Sequence, residues 1–343
     1  MRRATRPALA SLILLATACA KNAPYDTLSP EGPIARTQDA LFKPVFWIAV
    51  VVFVLVEGAL VYAMVRFRDR GQEGLPRQVH GSPKLEIAWT IAPALILAAI
   101  AVPTVVTIFD LSERQPGGMK VNVIGHQWWW EYRYPDGGVV TATDLHIPTG
   151  RPVYLDLEAY EEGPVATTPA KKDEGVIHSF WPPKLAGKQD VVPGRVNRMT
   201  IQADRPGVYE GQCAEFCGLS HANMRLTVIA HSQQDFDRWL ADQKRPAAQP
   251  SGGRAASGLQ AFREKGCASC HAIGGVSEGL GGPNLTHLAS RETFAGGTFR
   301  RTDENLEQWL RNPPGMKPGS KMPNLNLSQD EIDGLVAYLQ TLK

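Results

Sequence analysis

Two apolar runs constrain this chain more than anything else in it. Residues 44–65 (PVFWIAVVVFVLVEGALVYAMV) carry one charge, Glu57, and residues 87–109 (IAWTIAPALILAAIAVPTVVTIF) carry none. Each is long enough to cross a hydrocarbon core of about 30 Å as a helix. Inside lipid an uninterrupted apolar segment becomes a helix, because its N–H and C=O groups must then pair within the segment. The connecting loop holds Arg66, Arg68, Arg70, Arg77 and Lys84 against Asp69 and Glu73. An excess of basic residues places such a loop on the cytoplasmic side. The expectation is a transmembrane hairpin over 40–110, with everything after it outside. Glu57 falls at mid-membrane depth, where ionisable groups usually have protein partners.

The N-terminus agrees with export. Residues 1–20 combine Arg2, Arg3 and Arg6 with a short apolar run, Leu9 to Leu15, which is too short to span a bilayer. Ala18 and Ala20 form an A-x-A cleavage pattern, so 1–20 reads as a signal peptide. Ala16-Thr17-Ala18-Cys19 also resembles a lipobox, with Ala16 where Leu is usual. Lipidation would account for Cys19; ordinary cleavage would discard it. The net charge of +2 over 343 residues gives no case for nucleic acid as a partner.

Beyond the hairpin, short β-rich runs alternate with Pro and Gly: Val121–Ile124, Trp128–Tyr134, Val153–Leu157, Val176–Trp181, Arg198–Ile201, Gly207–Tyr209 and Met224–Ile229. This spacing predicts a Greek-key sandwich or barrel over 111–242. Within it, Cys213-Ala-Glu-Phe-Cys217-Gly-Leu-Ser-His221-Ala-Asn-Met224 gathers two thiols, an imidazole and a thioether. Soft sulfur ligands with imidazole select copper. His178 supplies a distant second imidazole. Two bridging thiolates can hold two ions, with His178 and His221 capping one each. The alternatives are a Cys213–Cys217 disulfide and a zinc site, although zinc rarely takes Met.

Residues 243–256 are rich in Pro, Ala, Ser and Gly and read as a linker. The unit over 257–343 contains Cys267-Ala-Ser-Cys270-His271. C-x-x-C-H is the attachment motif for haem c: each thiol adds to a vinyl group and the His binds iron. A disulfide or redox CxxC is the alternative. Gly258–Lys265 reads as a helix before the motif. Ser328-Gln-Asp-Glu331 is a capping box opening a last helix whose apolar stripe is Ile332, Leu335, Val336 and Leu339. An all-α class-I cytochrome c domain fits this order. Its distal ligand should be a Met just before the last helix, for which Met316 and Met322 compete. His287 reads as a surface residue.

The copper-type loop, His178 and the hairpin resemble subunit II of the haem–copper cytochrome c oxidases, from about residue 40 to 240. That resemblance implies a cupredoxin-like barrel holding the dicopper centre called CuA. Cys213 and Cys217 would bridge the coppers, His178 and His221 would each bind one, Met224 would be a weak ligand and the Glu215 carbonyl another. The Glu215 carboxylate would reach a magnesium ion shared with subunit I. Gly125-His-Gln-Trp-Trp-Trp-Glu-Tyr-Arg-Tyr134 resembles the family's aromatic strand, which makes Trp128 the residue where electrons arrive on their way to copper. His126, with no partner cluster in the sequence, reads as structural. Glu86 matches a carboxylate near the mouth of a proton path into subunit I; a helix-start acid favoured by the dipole is the plainer reading. Glu57 would contact subunit I. The family's Asp three residues before His178 is Gly175 here, with Asp173 and Glu174 upstream. Met322 resembles the distal haem ligand, and Gly282-Pro283-Asn284-Leu285 the loop that holds the proximal His ring.

Subunit II with a fused cytochrome c domain implies an electron-transfer subunit of a terminal oxidase in the bacterial inner membrane, its copper and haem domains on the periplasmic side. Electrons would pass from an external donor, such as a cytochrome c or a quinol–cytochrome c reductase complex, to haem c, to CuA and to subunit I. Dioxygen reduction and proton translocation would belong to that partner and its companion oxidase subunits. The alternatives are a CuA-containing nitric oxide reductase, a copper-delivery protein, for which a covalent haem has no use, and a free-standing electron carrier.

Overall fold

The structure is a computed structural model and describes residues 23–68, 74, 78, 80–113, 116–159 and 175–343. The signal peptide, Cys19, Asp173, Glu174 and much of the basic loop lie outside the described residues.

Two long helices come first, α1 (Pro33–Arg66) and α2 (Pro83–Ser112). Both open on proline at the first turn, where its missing N–H costs nothing. With 34 and 30 residues, at about 1.5 Å per residue, both exceed a bilayer core. The excess in α1 is at its start, eleven residues before the apolar run. Hydropathy marks only the lipid-facing part of a helix. The polar first turns lie against the β domain instead: Ala35 is buried, Arg36 pairs with Asp204, and the Glu31 N–H donates to Lys184 at 2.8 Å. The start of α1 therefore packs with the β domain. The apolar windows of both helices bury none of their residues within the chain. Val54, Leu55, Leu95, Leu97 and Phe109 stand exposed, which is sustainable against lipid or another subunit and not against water.

Two five-stranded sheets follow. The first has the order β3-β2-β1-β5-β8, formed by β1 (Met119–His126), β2 (Trp129–Tyr134), β3 (Val139–Ala142), β5 (Val153–Ala159) and β8 (Asn197–Ile201). The second has the order β4-β10-β9-β6-β7, formed by β4 (Asp144–Pro148), β6 (His178–Trp181), β7 (Gln189–Val191), β9 (Gly207–Cys213) and β10 (Arg225–His231). β1 runs parallel to β5 and β4 parallel to β10; the other pairs are antiparallel. Val121, Val123, Leu155 and Leu157 from one sheet share a core with Leu145, Ile147, Phe180 and Val228 from the other. A short helix, α3 (Gln233–Gln243), caps this core with Phe236 and is itself started by Ser232, whose hydroxyl accepts the Asp235 N–H.

The aromatic run is not one strand. β1 ends at His126, β2 begins at Trp129, and these two residues are cross-strand partners. Gln127 and Trp128 make the turn. Trp128 and Trp130 are buried and Trp129 partly exposed. Strands β3, β4 and β7 are too short and too mixed in character to stand out in the sequence.

The C-terminal unit is helical: α4 (Gly253–Glu264), α5 (Cys267–Cys270), α6 (Asp303–Arg311), α7 (Pro313–Met316) and α8 (Gln329–Leu339), with two small hairpins, β11–β12 (272–273, 277–278) and β13–β14 (293–294, 299–300). Helices α4 and α8 pack with Phe262 edge-on to Tyr338. The predicted capping box is formed: Ser328 accepts the Glu331 N–H and Glu331 accepts the Ser328 N–H. The Pro/Ala/Ser/Gly-rich stretch is irregular only over 244–252, because Arg254, Ala255 and Ala256, good helix formers, join α4. Even the irregular part is seated, with Ala247 buried and its N–H on the Gly274 carbonyl at 3.2 Å. His287 corrects the surface reading. It is 5% exposed and its Nδ1 lies 2.8 Å from the Lys343 carbonyl, because the chain end folds back onto this segment.

Candidate metal centre and haem-binding segment

The sheet register builds the first site. β6 pairs with β9 so that Phe180 faces Cys213, and the Ala214 N–H donates to Ser179 at 2.9 Å. This brings His178 beside Cys213 across 35 residues of sequence. The loop after β9 is closed where it begins and ends by the Cys213 N–H donating to the Met224 carbonyl at 2.9 Å. Inside the closed loop the donors converge. The two sulfurs are 3.8 Å apart; His178 Nδ1 is 3.8 Å from Cys213 and His221 Nδ1 is 3.6 Å from Cys217. Met224 Sδ is 3.9 Å from Cys217 Sγ, and the Glu215 carbonyl is 3.3 Å from Cys213 Sγ. Sulfur and nitrogen atoms bound at about 2.0–2.3 Å to one tetrahedral ion lie roughly 3.3–3.8 Å apart. The observed separations suit ligands facing shared metal ions.

His178, Cys213, Cys217 and Met224 are all nearly sealed from solvent. Among the described residues, His178, Cys213 and Cys217 form the one group of three or more such side chains close enough to share an ion. The free thiols are not equivalent. The hydrogen bond between them, against burial, holds the Cys213 thiol well below its ordinary range, and the same bond together with burial raises Cys217. Thiols bind metal as thiolates, so a metal ion would displace their protons. The chemistry and spacing of the donors fit a copper pair.

Aromatic residues frame the loop. The Trp128 indole N–H donates to the Cys217 carbonyl at 2.9 Å, and the Gln127 amide donates to the same oxygen at 2.7 Å. Trp130 lies edge-on to His178 and to Phe180. Gln127 was not legible as a site residue; only the tight turn between β1 and β2 gives it a role. His126 has packing partners. It stacks on Trp129, and its Nε2 is 3.3 Å from the Glu131 carboxylate, which also pairs with Arg133. Burial pushes the Glu131 carboxyl up, but His126 and Arg133 together hold it below its ordinary value. His126 remains outside the metal-type group.

In the helical unit, Cys267 and Cys270 sit on the single turn α5, partly exposed and not joined to each other. His271 follows directly. Its Nδ1 lies 2.9 Å from the Pro283 carbonyl, which leaves Nε2 to face a metal. Burial lowers its pKa, favouring the neutral imidazole that iron requires. A Cβ on Gly282 would lie 2.6 Å from the His271 ring, so the loop approaches as closely as glycine permits. Met322 packs on the hydrophobic core of this unit and its sulfur accepts the Trp309 indole N–H at 3.1 Å. Met316 ends α7 and is not part of that core packing. These residues fit a covalent haem. Glu86 sits in the first turn of α2, beside a shallow groove lined by Pro83, Ile87, Thr90 and Ile91. The carboxylate of Glu215 stands partly exposed at the loop surface.

Comparison with known proteins agrees with this arrangement. Residues 29–106 match the family model for the cytochrome c oxidase subunit II transmembrane domain, residues 119–231 that for its periplasmic domain, and residues 255–343 that for cytochrome c. Cytochrome c oxidase subunit 2 of Alkalihalophilus pseudofirmus is 35% identical over 343 residues, covering 98% of this chain and 96% of that one. The Bacillus subtilis protein of the same name is 33% identical over 359 residues, covering 98% and 96%. The periplasmic domain of subunit II of cytochrome oxidase from Bradyrhizobium japonicum aligns with 37% of this chain and 93% of its own at 25% identity and a TM-score of 0.32. With matches along both the anchor and the two outer domains, the chain belongs to the cytochrome c oxidase subunit II family and carries a C-terminal cytochrome c domain.

Proposed function

We propose that this chain is the electron-transfer subunit of a terminal respiratory oxidase, carrying electrons from an external donor through haem c and CuA to subunit I. Haem c and the copper pair supply one-electron redox chemistry that no side chain of the protein provides. The observation that carries the reading is the convergence of six donors on one closed loop, with Trp128 bonded to the carbonyl of Cys217. Cys213, Cys217, His178, His221, Met224 and the Glu215 carbonyl would hold the copper pair. Burial shields His178, Cys213, Cys217 and Met224 from water. The Cys217 carbonyl, held by Trp128 and Gln127, keeps the loop from shifting as charge changes. Cys267, Cys270, His271 and Met322 would hold the haem, and the Pro283 carbonyl orients the His271 ring.

Subunit I, a partner of this family in the membrane oxidase, receives the electrons and carries out dioxygen reduction coupled to proton translocation. The relatives' names are oxidase names, which favours dioxygen over nitric oxide. The Glu215 carboxylate reaches outward to a magnesium ion shared with that subunit, and Glu86 lies near the mouth of a proton path. The hairpin anchors the chain in the bacterial inner membrane with both redox domains on the periplasmic side. Metal analysis with EPR tests the core of this reading. Two coppers per chain sharing one unpaired electron are expected, and a single-copper spectrum would sink the assignment.

A further inference from the structure

The cytochrome c domain does not hang free on its linker; it is seated on the copper domain through Lys317. This residue is 4% exposed. Its ammonium lies 2.8 Å from the Trp128 carbonyl, 2.9 Å from the Asn223 carbonyl and 2.6 Å from the Ala295 carbonyl. Trp128 and Asn223 belong to the copper domain, Ala295 and Lys317 to the cytochrome domain. An ammonium has three N–H donors, and three carbonyls from two domains accept them. Burying an ammonium is strongly unfavourable unless its donors are met, so this geometry holds only while the domains touch.

The surrounding contacts are built for close approach. The tip of the β13–β14 hairpin reaches the copper domain: the Arg225 N–H donates to the Gly296 carbonyl at 2.9 Å and the Thr298 hydroxyl to the Asn223 carbonyl at 2.7 Å. The Ser220 hydroxyl donates to the Pro318 carbonyl. A Cβ on Gly296 would lie 2.3 Å from the Trp128 carbonyl oxygen, and one on Gly319 2.7 Å from the Trp128 ring. No larger residue fits at either position without moving the domains apart. The linker does not impose this pose. Nine residues, 244–252, could extend to about 30 Å. Under this cover Trp128 is only 7% exposed, although its indole bonds directly to the Cys217 carbonyl.

We propose that Lys317 is a positioning residue that clamps the cytochrome c domain over Trp128, so that a soluble donor reaches the copper ligands only by way of the haem domain. The clamp stands on contacts alone; the donor route rests on the electron-transfer reading above. Lys317 touches no reacting atom. It fixes Trp128 and the residue before Met224 in one frame with the haem domain.

Hydrogen–deuterium exchange on the full-length, cofactor-loaded chain in detergent tests the clamp without reference to turnover. Lys317→Met should speed exchange at 223–226 and 293–299 by at least about tenfold, since charge-assisted bonds at an interface are lost. Helices α4 and α8 should keep their protection, which shows that the domain itself still folds. Thr298→Val, which removes one peripheral contact, should shift the same segments less; it serves also if Lys317→Met fails to fold. Unchanged protection at both segments in both variants would overturn the clamp. The route is tested separately by stopped-flow mixing of the full, cofactor-loaded chain with a reduced soluble cytochrome c, following haem c and copper at their own wavelengths. Copper reduction should trail haem reduction in the wild type, and Lys317→Met should add a direct copper phase that gains at least about tenfold in rate, because Trp128 is uncovered. Loss of protection with no such gain would leave the clamp standing and refute the exclusion of the donor.

Discussion

In the β-sandwich the donors are gathered by strand pairing and backbone hydrogen bonds. His178 and Cys213 meet because two strands pair, Met224 closes the loop by a backbone bond, and the thiols are buried. In the helical domain the two thiols sit partly exposed on a single helical turn, and Met322 lies on a distant segment whose sulfur is held by Trp309. One region is a cage supported by long-range hydrogen bonding; the other is a frame of short helices joined by loops. The difference teaches where rigidity comes from. Strand register fixes side chains directly, whereas short helices joined by loops need a filled core.

The sharpest way to break this comparison is to remove one bridging sulfur. Cys217→Ser should lower copper affinity by more than about 100-fold, measured by metal content after dialysis. The sandwich should still unfold in one cooperative transition, since its core is built from the two sheets; a collapse of that transition would show that the sulfur supports the fold itself. On the haem side, Met322→Leu should convert the low-spin haem spectrum to high-spin, while Met316→Leu leaves it unchanged. The reverse result would move the distal ligand to α7.

A third prediction concerns the seam between the regions. Asp144 on β4 is buried, and burial raises its carboxyl to about 7 despite the nearby Arg291 of the cytochrome domain. Burial likewise lowers Arg291 to about 10. An acid whose folded pKa lies above its unfolded value contributes stability fully below about pH 4 and loses it as pH rises through 7. The bound on this loss is roughly 4 kcal/mol. Thermal unfolding of the wild type should therefore weaken between pH 4 and 7, and Asp144→Asn should flatten that dependence. A parallel pH profile in both would assign it to other groups. The smallest expected effect is that of Trp128→Phe. It keeps a ring but deletes the indole N–H on the Cys217 carbonyl. Electron transfer from haem to copper should slow several-fold with copper content intact, measured by flash photolysis; loss of copper would make Trp128 a structural support.

Much of this protein was legible before folding. Composition alone located the hairpin, because lipid admits only segments that satisfy their own backbone. The ligand types were legible for the same local reason: Cys213, Cys217, His221 and Met224 lie within one loop, and Cys267, Cys270 and His271 within one turn. The capping box at Ser328 was visible because a helix start is decided by four consecutive residues.

What only the tertiary structure decided is everything that depends on contacts between distant segments. The β6–β9 register brings His178 to Cys213. The β1–β2 turn points Trp128 and Gln127 at one carbonyl. The returning C-terminus buries His287, and Lys317 bridges two domains. None of these has a local signature, because strand register and domain docking are set by summed burial and hydrogen bonding across the chain. The sequence by itself located the anchor and grouped the donor side chains within single loops and turns; the fold decided how the β-sandwich and the cytochrome c domain face each other.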